Sequence, residues 1–414
     1  MFKRVAAIVF IYLCTVFAWV VLGTAVNIRT HSQDNKLKSA VGQLWGTVQR
    51  QPAPEVYYLT RHERRVETIK GGETVVETRT ETERHAVSLE SGDLDVDLKL
   101  DYRRKGLLWY STYRVRFRGD YGVENTTGEP KDLYVQFTFP NKGAVYDDFS
   151  FAVGGRESRD VPLANGAATR SVHLEPGEKT TVRIAYESQG LDEWWYEFGA
   201  DVAQVRSFSL KMRTDFDKID FPQNGISPTS KTKVAGGWEL EWRYKNLLSG
   251  VQIGLAMPEK LNPGPWVAEV TFAAPVSLFL FFFLLFIITT REGVDVHPMN
   301  YFFVGAAYFS FHLLLAYIVD HVSIHAAFLI CSLVSIFLVV SYMRVVVGPK
   351  FAFLQVGISQ FVYLVLFSYT FFFEAYTGLA ITALCILTLF AVMQYTARVD
   401  WTKAFKGNGA GGPG

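Results

Sequence analysis

Five uninterrupted apolar runs in the last third of the chain limit what it can fold into: Val267–Thr290, Met299–Val319, Val322–Met343, Phe351–Phe373 and Ala375–Ala397. Each is about 20 residues long, which at about 1.5 Å per residue matches a hydrocarbon core of about 30 Å. No water reaches that depth to satisfy backbone groups, so only helices or closed barrels can span it, and runs this uniformly apolar are helices. A sixth run begins after Lys3 and Arg4 and continues from Val5 to about Gly23. Gly23-Thr24-Ala25 has the small residues of a cleavage site. The apolar stretch exceeds the roughly 7–15 residues of a signal peptide, so an uncleaved anchor helix is expected.

Charge supplies an orientation. Lys3 and Arg4, Arg291, Arg344 and Lys350, and Arg398, Lys403 and Lys406 flank alternate ends of the six spans. The intervening short loops, Asp320-His321 and Glu374–Gly378, contain no Lys or Arg. This asymmetry predicts cytoplasmic termini and places the long polar region outside the cytoplasm. In a bacterial chain that compartment is the periplasm. The 41 basic and 40 acidic residues nearly cancel, so nothing points to nucleic acid. Cys14, Cys331 and Cys385 all fall in apolar runs, so the polar region holds no disulfide.

That region opens with Leu37, Val41, Leu44 and Val48, spaced as one face of a short helix that stops before Pro52. Strands are expected next. Glu63–Lys70 and Glu73–His85 flank Gly71-Gly72, a tight-turn pair, and Asp93–Tyr102 alternates Leu94, Val96, Leu98, Leu100 and Tyr102 with charges. Leu107–Arg118, Asp132–Phe139, Asp147–Val153, Ala168–Leu174, Lys179–Ser188, Glu193–Phe198, Arg206–Arg213, Trp238–Tyr244 and Val251–Ala256 continue the series between Gly and Pro turns. Many short strands without helical pattern predict an antiparallel, sandwich-like domain. Asn262-Pro263-Gly264-Pro265-Trp266 reads as a stiff linker with an interfacial aromatic, and Asn125-Thr126-Thr127 as a turn. The expected fold is membrane α+β: an anchor helix (1–26), a periplasmic β-rich domain (27–265), a bundle of five transmembrane helices (266–398) and a cytoplasmic tail (399–414).

The segment His297-Pro298-Met299-Asn300-Tyr301-Phe302-Phe303-Val304-Gly305, then Leu313-Leu314-Leu315, Asp320-His321 and Asp400-Trp401, resembles the CreD family of bacterial inner-membrane proteins. In that family an H-P-M-x-Y-x-x-V-G segment opens the third span and an acidic-His pair closes it, the acid being more often Glu than the Asp320 found here. Arg104-Lys105-Gly106-Leu107-Leu108-Trp109-Tyr110 with Tyr113, and Gly237-Trp238-Glu239-Leu240-Glu241-Trp242 with Asn246-Leu247, are similar to family stretches more loosely. The resemblance implies a role in envelope integrity and stress response, with no established biochemical activity.

Pro298 fits the first position of a helix and His297 its cap. Ionisable residues near a bilayer are costly and therefore candidates for function. Glu269, His312, Asp320, His321, His325 and Glu374 all fall on the side expected to be periplasmic. Three readings stand for this cluster: docking or solvation beneath the β-rich domain, passage of a proton or solute, and a metal site in which His321 and His325 share one helical face. Gln355 and Gln360, with Ser332 and Ser335, are expected to bond between helices. Gly305, Ala306 and Ser310, and Gly378, Ala380 and Ala383, offer close helix approach, and Pro275 a kink. No Gly-x-Ser-x-Gly, phosphate loop or His-Glu-x-x-His occurs, and no cofactor or catalytic residue is implied. The expectation is a non-enzymatic envelope protein presenting its β-rich domain to a protein or cell-wall partner. The alternative is a transport component using the polar cluster.

Overall fold

The computed structural model describes residues 2–70, 73–106, 108–158, 161–199, 203–373 and 375–397. The chain divides into a helical unit, Met1–Asn35 with Leu261–Gly414, and a β-rich unit, Lys36–Lys260.

Among the described residues six helices are long and apolar enough to cross a membrane. They are α1 (Phe2–Trp45), α2 (Pro263–Glu292), α3 (Pro298–Ile318), α4 (Ile324–Val347), α5 (Pro349–Phe372) and α6 (Thr377–Thr396). Large side chains such as Phe10, Phe17, Leu329, Leu333, Phe337, Leu387 and Phe390 lie on the outside of this unit. In water such an apolar surface would aggregate; against lipid tails it costs nothing. Charge sits at the ends instead. Arg4 pairs with Asp295 at 3.0 Å, and Arg29 pairs with Asp320 at 3.4 Å while donating to the carbonyl of Ala316. The 25 residues between the two arginines rise about 38 Å, enough to clear a core of about 30 Å.

Local chemistry explains the helix ends. Pro298 opens α3 as predicted, and the Nδ1 of His297 accepts from the amide of Met299 at 3.2 Å. Ser323 caps α4 through the amide of Ala326. Pro263 is already the first residue of α2, so the expected linker is a helical turn. Trp266 in its first turn faces other helices: it is 2% exposed, donates to the carbonyl of Phe371 and lies tilted against the Phe372 ring at 4.5 Å. Gly305 permits close approach, since a Cβ there would stand 3.2 Å from the Phe282 ring. Gly378 meets nothing within 4 Å and Ala383 is exposed, so of the three small residues predicted to give close approach on α6 only the half-buried Ala380 faces other parts of the unit.

The β-rich unit contains β1 (Gln49–Pro52), β2 (Glu55–Lys70), β3 (Glu73–Val87), β4 (Ser91–Lys105), β5 (Leu108–Glu124), β6 (Lys131–Thr138), β7 (Tyr146–Val153) and β8 (Arg156–Ser158). It continues with β9 (Leu163–Ala164), β10 (Ala167–Leu174), β11 (Lys179–Leu191), β12 (Glu193–Glu197), β13 (Ala203–Thr214), β14 (Ser230–Val234), β15 (Gly237–Ser249) and β16 (Ile253–Ala256). They form three sheets, ordered β1-β12-β16, β3-β2-β6-β10-β9 and β14-β15-β13-β4-β5-β11-β7-β8. Leu94, Val96 and Leu98 from β4, Leu133, Val135 and Phe137 from β6, and Trp194 and Tyr196 from β12 enter one shared core. Pairing is mostly antiparallel, but β13 runs parallel to β4 and β1 parallel to β12, which corrects the wholly antiparallel expectation.

Three further expectations change. The helix predicted from Leu37, Val41, Leu44 and Val48 is the continuation of α1, which ends at Trp45; Leu44 is 77% exposed and Val48 lies beyond the helix. The turn Gly71-Gly72 lies outside the described residues, although β2 and β3 pair up to Lys70 and Glu73. Asn125 makes the expected turn from the inside: it is fully buried and bonds back to Thr127.

Candidate functional site

Of the six polar residues singled out at one end of the helical unit, Glu374 lies outside the described residues, as do Asp400 and Trp401 of the family motif. The other five do not converge. Glu269 is exposed on α2, and Asp320 is engaged by Arg29. His321 is exposed in the turn before α4, ahead of the Ser323 cap, so His321 and His325 do not share a helical face. The ring of His325 stacks on Phe372 at 4.7 Å. Among the described residues no three His, Cys, Asp or Glu side chains stand where they would hold a metal.

His312 is different. It is 1% exposed on α3, and neither ring nitrogen makes a well-formed hydrogen bond, the Tyr308 backbone one turn back being the nearest group to offer one. Aromatic rings enclose it: Trp19 of α1 edge-on at 5.5 Å, Phe311 at 4.9 Å and Tyr308 one turn back at 6.3 Å. Other buried donors in the same unit also stand unpartnered, among them the indole Nε1 of Trp19, the hydroxyl of Thr271 on α2 and the hydroxyl of Tyr301 on α3. Each such group forfeits hydrogen bonds that it would keep in water, so a sequence selected for stability alone would remove it.

Below His312 the interior is polar and mostly bonded, the Oε1 of Gln360 being an exception. The hydroxyls of Ser277 (α2) and Tyr308 (α3) converge on the carbonyl of Tyr363 in α5, which Tyr308 meets at 2.8 Å. Residues 361–366 of α5 form a wide π turn, the kind of local unwinding that often marks functional positions in helices. The Tyr363 hydroxyl in turn bonds Thr388 of α6 at 2.7 Å. On the other side Gln360 donates to Ser335 of α4 at 2.9 Å, and Ser335 donates to the carbonyl of Ala307 on α3. The predicted interhelical role therefore holds for Gln360 and Ser335. It holds for Gln355 as well, which donates to Glu292 at the end of α2 at 2.6 Å, whereas Ser332 only bonds back to Phe328 of its own helix. Pro275 sits inside α2 and its carbonyl accepts from Tyr12 of α1 at 3.1 Å.

Sequence reasoning missed the Ser277–Tyr308–Tyr363 centre. Its members are ordinary tyrosines and a serine within apolar runs, and no spacing rule connects three helices.

In the β-rich unit the solvent side of the largest sheet is a lattice of opposite charges. Asp95 and Asp97 of β4 hold Arg213 of β13, the Asp97 contact at 2.7 Å, and this keeps the guanidinium charged well above its ordinary range. Arg116 reaches Glu187 at 2.8 Å, and Arg183 reaches Asp120 at 2.6 Å. Pairs this exposed contribute little to stability.

Six apolar helices with one β-rich domain inserted between the first and second make this a multi-pass membrane protein. Residues 272–402 match the model of the family described as inner membrane protein CreD, the family that the motifs of this stretch resemble. No curated protein matches the chain. Among solved structures, a crystal structure titled as a "putative nutrient binding protein" from Legionella pneumophila subsp. pneumophila str. Philadelphia 1 is 10% identical, with a TM-score of 0.30 over 47% of this chain and 71% of that one. A TM-score this low does not establish a shared fold.

Proposed function

We propose that this is an inner-membrane envelope-integrity protein without catalytic chemistry, whose β-rich domain is held in the periplasm for a protein or cell-wall partner. The reading rests most on one feature of that domain. β2 pairs with β6 only over Glu55–Tyr57, whereas β2 and β3 pair with each other along their whole length to Lys70 and Glu73. Beyond Tyr58, which still packs on the core, the two strands therefore make a free-standing ribbon roughly 40 Å long at about 3.3 Å per residue. A lone two-stranded ribbon is at best marginally stable in water and adds nothing to the core, so its retention favours a partner. Three sheets around one core support a sandwich-like body carrying this arm, and the cationic flanks support cytoplasmic termini.

The test is photo-crosslinking in intact cells from Glu63 and Thr82 on the arm, with Asp95 in the charge lattice as the comparison. Adducts from the arm and none from Asp95 are expected; an arm that yields no adduct overturns the reading. Reporter fusions should put residue 150 and the carboxyl terminus on opposite sides of the membrane. Finding both on one side removes the periplasmic assignment.

A second reading, passage of a proton or solute through the helical unit, is favoured by the unpartnered His312, Trp19 and Thr271. His312→Phe is the substitution that separates it from the first.

A further inference from the structure

We propose that the β4–β5 hairpin tip is a docking surface for anionic phospholipid headgroups of the leaflet from which the β-rich domain emerges. The tip is built of residues suited to that boundary. Arg103, Arg104 and Lys105 end β4, Gly106 turns in the left-handed region at φ 61°, and Leu108, Trp109 and Tyr110 begin β5. Both chain segments that lead to the membrane lie against it within the β-rich unit. On one side are the last turns of α1. Leu37 comes so close that a Cβ on Gly106 would stand 3.1 Å from its Cδ1, and Val41 packs with Leu108 and Tyr110. The Trp45 ring there lies 3.3 Å from the guanidinium of Arg103 and 5.9 Å from that of Arg114.

On the other side is the strand leaving for α2. The carbonyl of Pro258 accepts from the hydroxyls of Tyr102 at 2.9 Å and Ser111 at 2.8 Å. The ammonium of Lys260 sits 3.5 Å over the Trp109 ring. Lys260 precedes Pro263, the first residue of α2, by three residues, a reach of at most about 11 Å for extended chain. The tip is thus joined through Lys260 to the segment of chain that leads into α2.

Charge identifies the occupant. Arg103 pairs with Asp101 at 3.0 Å, but Lys36, Arg104, Lys105 and Lys260 are without a carboxylate partner among the described residues. Exposed Glu259 is the one acid adjoining Lys260 in the chain. Cationic side chains interleaved with Trp and Tyr are the composition of a membrane interface, where the rings sit at headgroup depth and each cation gains from anionic lipid.

The experiment measures amide hydrogen exchange of residues 101–112 in the full-length protein, in nanodiscs of phosphatidylcholine alone and of phosphatidylcholine with phosphatidylglycerol. Exchange is expected to slow with phosphatidylglycerol, by about fivefold for each cation engaged. A variant with Arg104→Lys, Lys105→Arg and Lys260→Arg should keep the effect. One with Arg104→Glu, Lys105→Glu and Lys260→Glu should lose it while retaining the wild-type near-ultraviolet tryptophan signal. Equal exchange in the two nanodiscs overturns the proposal, and this comparison needs no variant. Inorganic phosphate reproducing the effect in phosphatidylcholine alone also overturns it, as does full protection in the folded charge-reversal variant.

Discussion

Replacing Asn125 with Ala is expected to destabilise the β-rich domain by about 3 kcal/mol, the sum of several buried hydrogen bonds lost together. Asn125 is fully buried where β5 ends, and all of its side-chain polar capacity is used. Nδ2 donates to the carbonyls of Leu174 and Glu129, each at 2.9 Å, while Oδ1 accepts from the amide of Thr127 at 3.0 Å and from its hydroxyl at 2.7 Å. The backbone is engaged too, its amide donating to Glu178 and its carbonyl accepting from Gly177. One side chain thus ties the end of β5 to the β10–β11 turn. Ala leaves the buried Leu174 carbonyl without a partner, and Asp, which cannot donate, leaves the same carbonyl facing an acceptor. Both should lower the urea midpoint of the domain within the full-length protein, followed by pulse proteolysis, whereas Thr126→Ala on the exposed side should not. A loss below about 1 kcal/mol in the Ala variant would mean that water replaces these bonds and that the turn is not a structural staple. The same geometry makes the Asn-x-Thr sequence a poor attachment point, because its amide hydrogens point inward.

What could be read from the sequence was whatever the solvent imposes. Lipid removes water from every spanning residue, so the six spans announce themselves by length and composition. Strands with one wet face announce themselves by alternation, and Leu94, Val96 and Leu98 lie buried between exposed or half-buried acids as the pattern requires. The rule fails where a strand buries polar side chains. In β1 the inward residues are Gln49 and Gln51, both fully buried. Gln49 donates to Ser188 at 2.9 Å and to the carbonyl of Gln189 at 2.6 Å; Gln51 accepts from Tyr186 at 2.8 Å. A polar-in strand reads as a loop. The parallel pairing of Leu94 with Leu210 was equally hidden, since alternation fixes which face is buried but not which distant strand lies alongside. The same limit applies to the candidate site. An ionisable residue in a span could be seen at His312, but not that its neighbours would be rings rather than carboxylates.

His312→Phe is expected to stabilise the helical unit by about 1–3 kcal/mol, an unusual direction for a buried substitution. The imidazole is enclosed by Trp19, Tyr308 and Phe311, and its nitrogens are unmatched, so a phenyl ring of similar shape keeps the packing and removes the desolvation cost. His312→Asp should do the reverse and lower stability by several kcal/mol, because an uncompensated carboxylate cannot be held among those rings. Thermal unfolding of the full-length protein in detergent reads both changes. Lower stability in the Phe variant would show that the imidazole has a partner in the folded protein, and His312 would then be structural. With the expected gain, the two functional readings separate in cells. If the Phe variant is stabilised yet fails to restore envelope integrity, the costly imidazole is retained for passage through the helical unit, in keeping with the trade of stability for function at working sites. If it restores integrity fully, the bundle serves as an anchor and function lies with the β-rich domain and its arm.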